Sequence, residues 1–565
     1  MVAYDLETTR IQAGTPSPLY ITAFGPDGFR VSQAVNSVEH LCEILVSRFL
    51  TVENNNVRFV AWNGNNFDCF FIGAALLHSP DYTLRPYLTR SKALRGVRVT
   101  LKTKPGELKQ SWEFLDGMSM ISGGNPLALK KFLKTFAPEF EKLSSPDWDA
   151  GEQFDSRNPE HVAYAERDSE GLYHGLQRAE SIVMTHFEQG LQPTIGNLGI
   201  RIFQAHMPDN KIAWAPGFEL EQIIRTFVMR GGFCFAARRF AGPVWKYDLN
   251  QAYASAMREA DLPCGRAQAT KTVHPYARCA IYKVTARSRA NRVPFYARDS
   301  EGQSLFALCD LESVWLTSSE IDQLRSERWA VQVHEGYFWD DAFRMGELVD
   351  KLEGLRMSDP DGPGGAQGSM MKAIGNNCYG KTVEELDGLE LVMSFTRPDD
   401  SFFMYQNADD IIKHIWAKLG TPHFREYHQP QIGAFITAHV RMLVRRAILE
   451  APDAWLYSDT DCCFFDRPVK SLPIDPKKYG YWKIEVSGAP YRIITKKVYA
   501  TFDGTEKRAK GLNVKRLSMG DFERWYAGSP PTQTQTQRQN FLSVMTGSDM
   551  FVERVKVGQR IVRSP

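Results

Sequence analysis

The chain has 565 residues, 43% of them apolar and 24% charged, with a net charge of +2. That composition suits a folded protein in water with roughly three to four domains of ~150 residues. No run of eighteen apolar residues occurs, which excludes a membrane-spanning helix. Met1-Val2-Ala3-Tyr4-Asp5 has neither the basic nor the apolar region of a secretory signal, and nine cysteines without a C-x-x-C pair argue against a zinc site or a disulfide framework. The expectation is a cytoplasmic protein that is not secreted. Charge is unevenly spread: residues 467–565 carry 19 Lys and Arg against 8 Asp and Glu, net +11, leaving −9 for the rest. A basic C-terminal fifth suits a polyanion such as nucleic acid, and a solvated basic face is the competing reading.

In chain order, Asp5-Leu6-Glu7-Thr8-Thr9 reads as the end of a β-strand with Asp5 and Glu7 on one face. By itself such a pair is weak, since many exposed strands carry one. Phe59-Val60-Ala61-Trp62 has the pattern of a buried strand, and the turn Asn63-Gly64 delivers Asp68 to the start of a helix over 69–77. The spacing predicts another helix over 159–176, with Pro159 in its first turn and Tyr164 and Asp168 on one face. Asp5, Glu7, Asp68 and Asp168 together make a donor set for two divalent ions about 3.5–4 Å apart, which would activate water against a phosphodiester. Tyr164 would orient that water. Phe67 would stack on a base of a single-stranded end, and Asn63 and Thr8 would hydrogen-bond it. Ordinary core packing of Tyr164 and Phe67 is the competing account.

Trp245-Lys246-Tyr247-Asp248-Leu249 is a strand running into a helix, with Asp248 at the strand end. In the helix 372–381, Lys372, Asn376 and Tyr379 fall on one stripe. Cation, amide and aromatic suit the phosphate, sugar and base of a nucleotide; a solvated lysine and a core tyrosine would give the same pattern. Gly375 costs about 1 kcal/mol relative to alanine there, which points to a packing or functional reason. Tyr457-Ser458-Asp459-Thr460-Asp461, framed by Ala454-Trp455-Leu456 and Cys462-Cys463-Phe464-Phe465, reads as a hairpin tip. Strand alternation would point Asp459 and Asp461 the same way, as ligands for Mg²⁺ or Mn²⁺. An Asp-rich turn capping its own backbone is the alternative. Lys496-Lys497-Val498-Tyr499-Ala500 reads as a strand with Lys497 and Tyr499 on one side, and 531–537, alternating Thr and Gln, as a flexible loop or linker.

The order D-x-E, N-x-x-x-F-D, Y-x-x-x-D resembles the three motifs of DEDD-type proofreading exonucleases. The segments at Asp248, Lys372, Asp459 and Lys497 resemble motif A (D-x-x-S-L-Y-P), motif B (K-x-x-x-N-S-x-Y-G), motif C (Y-x-D-T-D-S) and K-x-Y of family B DNA polymerases. The resemblance runs from Asp5 to about residue 515. Its length is similar to the compact protein-primed branch of small linear-genome bacteriophages and linear plasmids. Arg230-Gly231-Gly232-Phe233 stands like that branch's Y-x-G-G linker motif, and Asp475-Pro476-Lys477-Lys478-Tyr479-Gly480-Tyr481-Trp482 is similar to the stretch after motif C in phage members.

The resemblance implies a multidomain α/β fold. An RNase H-like 3′–5′ exonuclease domain would span 1–185. A right-hand polymerase domain would place palm at 186–260 and 431–510, fingers at 351–381 and thumb at 511–565. Insertions at 261–350 and 382–430 would contact a priming protein and close around DNA for processivity and strand displacement. Asp248 and Asp461 would bridge two Mg²⁺ (or Mn²⁺) ions, with Asp459 as a third carboxylate, and Asp5, Glu7, Asp68 and Asp168 would hold two more. Leu249, Tyr253, Lys372, Asn376 and Tyr379 would meet the nucleotide, Tyr253 as steric gate. Thr8, Asn63, Phe67, Gly231, Gly232, Tyr457, Lys497 and Tyr499 would meet DNA. Expected partners are primer-template, dNTPs and a terminal protein, the chain being a monomer or a heterodimer with that protein, without a membrane. Alternatives are a nucleic-acid-primed or primer-independent polymerase of a mobile element, or a non-catalytic or exonuclease-only relic. Gln251, Ala254, Asn377, Cys462 and Met229 depart from the motifs without removing a metal ligand.

Overall fold

Alternation decides the first strand: Val2, Tyr4 and Leu6 are buried, while Asp5 and Glu7 lie on the other, partly open face of Val2–Thr8. The computed structural model describes residues 1–559 except 104–108, 124–125, 144–152, 210, 385–387, 410 and 421–425, so parts of the second expected insertion and the last six residues of the expected thumb lie outside the described residues. Val2–Thr8 sits inside a ten-stranded sheet, antiparallel to Pro18–Phe24 and parallel to Arg58–Ala61. Helix Pro159–Phe187 packs on these strands. Asn158 caps its start, Pro159 occupies the first turn, and Leu172, Leu176, Ala179 and Val183 enter the core.

The same sheet takes three strands from the second expected insertion. Leu389–Ser394 pairs with Tyr82–Leu88 through Met393 and Leu84, and His414–Leu419 and Phe403–Gln406 extend the sheet outward. Buried Lys413 fastens this extension by donating to the carbonyls of Leu76, Leu77 (2.9 Å) and Ser79 (2.6 Å).

A second sheet of seven strands runs Lys507–Ala509, Val498–Thr501, Trp482–Thr495, Phe240–Leu249, Cys462–Phe465, Trp455–Thr460, Phe233–Ala236. Helix Pro430–Glu450, buried along most of its length, packs against its 455–465 hairpin. Within 261–350 a separate four-stranded sheet and helix Ser318–Ser326 share a core of Val284, Leu316, Ile321 and Leu324. Helices Gly346–Met357 and Ala366–Thr382 pack together, the first crossing the 350/351 boundary expected from sequence.

Packing does not demand the glycine at 375: a Cβ there would meet Leu352 at 3.7 Å, an ordinary contact, and the close approach lies at Gly199, whose Cβ would stand 3.1 Å from the carbonyl of Ile374. One expectation is corrected outright. Residues 531–537 are no loop: Thr532–Arg538 is a strand paired antiparallel with Phe551–Val557. Its β-branched threonines at every second position favour that state over a linker. Next to it, helix Phe541–Met545 packs its aromatic ring and sulfur onto Gly73 of the helix Asp68–Leu76.

Candidate active sites

The four N-terminal carboxylates converge. The N–H of Leu6 donates to Asp68 (3.1 Å), which locks the helix start to the strand that carries Asp5 and Glu7. Burial, then the charges of Glu7, Asp68 and Asp168, hold Asp5 well above the usual carboxylate range. Burial and Asp168 push Glu7 up to about 7, against the pull of Lys142. Burial also raises Asp68 to about 7, although two backbone N–H groups favour its charged form.

Lys142 is a functional candidate that sequence reasoning missed. Its amine forms an ion pair with Asp168 and lies 4.6 Å from the ring centroid of Tyr164. Burial disfavours its charge, but Asp168 and Tyr164 outweigh that and raise its pKa. No periodic pattern marks Glu141-Lys142-Leu143, so no local signal was available. Asp116 was also missed; it caps the turn at Asn63 and the helix Gly117–Ile121 by accepting from the N–H groups of Asn63 (3.0 Å) and Met118 (2.9 Å).

Tyr164 is mostly buried, and burial with Asp168 lifts its hydroxyl to about 12. Phe67 packs edge-on against Phe71 at 5.2 Å. Asn63 takes the left-handed region (φ 65°), its side chain accepting from Asn66, and Thr8 donates to the carbonyl of Thr9. In this structure those residues make internal contacts.

The second set gathers on the seven-stranded sheet. Asp459 pairs with Cys462, so Thr460 and Asp461 form a two-residue turn, with Thr460 at φ 65°. This corrects the alternation argument: Asp459 belongs to the strand, Asp461 to the turn, and the turn brings them together. Asp461 donates its N–H to the carbonyl of Asp459, and its own carbonyl accepts from Leu249 N–H, both at 2.8 Å. Leu249 therefore joins motifs A and C through its backbone while its side chain is buried. Burial, then the charge of Asp248, push Asp461 up to about 6, with Lys372 pulling it down.

Asp248 lies opposite Lys483, whose amine is 2.9 Å from its carboxylate. Burial raises the pKa of Asp248, and this lysine opposes the rise. Lys483 was not among the sequence candidates; its place became visible only through strand pairing. Lys497 is not in a strand either. It turns the hairpin at φ 62°, which lets its amine reach Asp459 at 3.0 Å and its N–H donate to Tyr457. Tyr457 is buried and donates to Asp459 (3.1 Å), while Tyr499 packs against Tyr457 and Phe464. Both tyrosines thus support the hairpin from beneath.

Of the residues expected to meet a nucleotide, Tyr253 and Tyr379 stack at 4.8 Å from two different helices. Lys372 and Asn376 occupy the partly exposed stripe of Ala366–Thr382 that the spacing predicted. A Cβ on Gly232 would stand 2.7–2.9 Å from Thr460, so this glycine is required for residues 230–232 to lie against the turn at Thr460 and Asp461; Gly231 faces open space.

Among the described residues, no three His, Cys, Asp or Glu side chains stand in mutual ligating reach. The donors still fit a hard divalent cation. They are carboxylate oxygens that repel one another, and the buried Oδ1 of Asp168 has no hydrogen-bond partner.

Residues 155–414 match the family of DNA polymerase type B, organellar and viral. A probable DNA polymerase of Ascobolus immersus is 22% identical over 396 residues, which is 66% of this chain and 31% of that protein. The DNA-directed DNA polymerase of Enterobacteria phage PRD1 is 35% identical over 78 residues, 14% of each. The matches therefore span less than a third of these curated relatives. Phi29 DNA polymerase, solved with primer-template DNA and incoming nucleotide substrates, superposes with a TM-score of 0.73 at 16% identity, covering 99% of this chain and 100% of that one. Its complex with single-stranded DNA gives 0.71 at the same identity. At such identity the likeness carries the fold alone, a multidomain α/β chain matched over its full length.

Proposed function

We propose that this chain belongs with the organellar and viral type B DNA polymerases, whose family model matches residues 155–414, and is a DNA-directed DNA polymerase with a 3′–5′ proofreading exonuclease. The observation that carries the reading is the convergence of Asp248, Asp459 and Asp461 on one sheet while Asp5, Glu7, Asp68 and Asp168 converge on another. Asp248 and Asp461 would hold the synthetic pair of Mg²⁺ or Mn²⁺ ions, and the four N-terminal carboxylates the degradative pair. When bound, such ions lower the pKa of the attacking oxygen and neutralise the leaving group.

The chain's own residues supply the rest. Lys372, whose charge acts on Asp461, stands to bind the triphosphate of a dNTP. The stacked Tyr253 and Tyr379 form the wall at sugar and base, with Tyr253 placed to exclude a 2′-hydroxyl. Leu249 holds Asp461 in register with Asp248, and Lys497 and Tyr457 hold Asp459. In the degradative site Lys142 pairs with Asp168 and opposes the rise that burial gives its pKa, and Tyr164 beside it would orient the attacking water. Primer-template DNA and dNTPs are the proposed partners, as in the phi29 complexes. Contacts would go chiefly to the DNA backbone and weaken with salt.

The finer reading is protein-primed, strand-displacing replication of a linear viral or plasmid genome in the host cytoplasm. It is supported by full-length likeness to the compact phi29 fold and by the separate sheet and core of 261–350, which on this reading would meet a priming protein. The test is extension of a primed single-stranded circle with Mg²⁺ and dNTPs. Products longer than one circle support strand displacement; products ending at one circle point to a nucleic-acid-primed enzyme. Asp248→Ala should abolish synthesis with single-strand degradation near normal, and Asp5→Ala with Glu7→Ala the reverse. Joint loss in either variant sinks the two-site reading.

A further inference from the structure

Away from both carboxylate sets, three charged side chains meet without solvent. Arg230 and Glu320 are fully buried and Arg441 is 2% exposed. Arg230 and Arg441 (2.9 Å) both donate to the same oxygen of Glu320, and the other oxygen accepts from Thr317 N–H at 3.1 Å. Arg441 also donates to the carbonyls of Arg230 (2.8 Å) and Gly231 (3.3 Å). The next residue, Gly232, presses on Thr460, the left-handed residue between Asp459 and Asp461. A continuous path of contacts therefore runs from helix Ser318–Ser326, outside the palm sheet, to the synthetic turn.

Stability alone is a poor reason for such a cluster. Burying two guanidinium groups on one carboxylate is costly, and apolar side chains of like volume usually serve as well or better. What the arrangement supplies is geometry: each guanidinium donates along fixed directions, so the backbone at 230–231 is held in one place. Burial opposes the charge on Glu320, but the two arginines outweigh it and bring its pKa down to about 2.

We propose that Glu320 is a positioning residue of the polymerase site. Through Arg230 and Arg441 it fixes residues 230–232 against Thr460, and so sets the placement of Asp459 and Asp461 and the balance between synthesis and degradation. The inference rests on the two-site reading above.

The test compares Glu320→Gln, Arg441→Lys and Arg445→Gln in the full chain, reading dNTP incorporation (kcat and KM separately), single-strand degradation and thermal unfolding. Arg445, on the helix of Arg441, pairs with Glu327, the residue that closes helix Ser318–Ser326, without touching the linker, so its variant controls for helix anchoring alone. Glu320→Gln should lower kcat for incorporation by about ten- to a hundredfold, the scale of misplacement from a remote change, with degradation of single strands retained. Arg441→Lys, which keeps the charge but not the fork, should act in the same direction, and Arg445→Gln should keep the wild-type ratio. If Glu320→Gln fails to fold, Arg441→Lys decides by the same ratio. An unchanged ratio in the folded variants, or an equal shift in Arg445→Gln, overturns the proposal. A folded wild-type chain that incorporates no dNTP overturns the function itself, and the inference falls with it.

Discussion

Lys483 reaches from Trp482–Thr495 to place its amine 2.9 Å from Asp248 on the paired strand Phe240–Leu249. The amine stands where a divalent ion at Asp248 would draw on the same negative charge. Lys483 is 34% and Asp248 21% exposed, so solvent screening leaves the pair worth about 0–1 kcal/mol, the range of a surface ion pair. Lys483→Met should therefore lower the Mg²⁺ concentration for half-maximal synthesis by about two- to fivefold, the equivalent of that energy. Titrating extension rate with Mg²⁺ checks it; a higher requirement would mean the lysine chiefly orients Asp248.

Lys142 answers for the other site. Among the described residues it is the only cation in an ion pair with Asp5, Glu7, Asp68 or Asp168, the carboxylates proposed for degradation. Lys142→Ala should cut single-strand degradation by about 10²–10³, the usual effect of removing one preorganised charge, and leave synthesis on matched primers unchanged. Parallel assays of the two activities decide it, and equal losses in both would rule out a local role.

Protonation should couple to stability and metal. Glu7 and Asp68 stay protonated up to about 7 when folded, whereas the unfolded chain releases these protons near its ordinary values, about 4–4.5. Between those limits the folded state binds more protons, so its stability falls as pH rises through about 7. Glu320 works oppositely, but its contribution is lost only below its unfolded value, about 4.5, outside this window. In EDTA the unfolding temperature should drop from about pH 5 to about pH 8, and added Mg²⁺ should restore more at the higher pH. A metal-free protein that is more stable at the alkaline end would contradict the cluster's electrostatics.

The seam between Gly73 and Phe541 offers a mechanical test. A Cβ at Gly73 would lie 2.7 Å from the Phe541 ring and 3.0 Å from the Met545 sulfur. Gly73→Ala should cost about 1–3 kcal/mol of overpacking, lower the unfolding temperature and shorten the product made per binding event by displacing the C-terminal part from the helix Asp68–Leu76. Processivity measured with a DNA trap checks it; normal product length at a lowered unfolding temperature would limit the seam to stability.

Local pattern carried much of this protein. Alternation over Val2–Thr8 and the helical spacing of Lys372, Asn376 and Tyr379 depend on neighbours in the chain, and so did the order of the carboxylate motifs. By itself the sequence therefore picked out the two acidic sets, which the structure places at two separate sheets, and the helix that carries Lys372. Where a residue's partner lies far along the chain, only the tertiary structure decided. Lys142 met Asp168, Lys483 met Asp248, and Lys497 left its expected strand to reach Asp459. Residues 389–419 joined the N-terminal sheet through one pairing with Tyr82–Leu88, and Thr532–Arg538 became a strand because Phe551–Val557 met it. Counter-charges and edge pairings depend on distances between elements, which no periodicity within one element encodes.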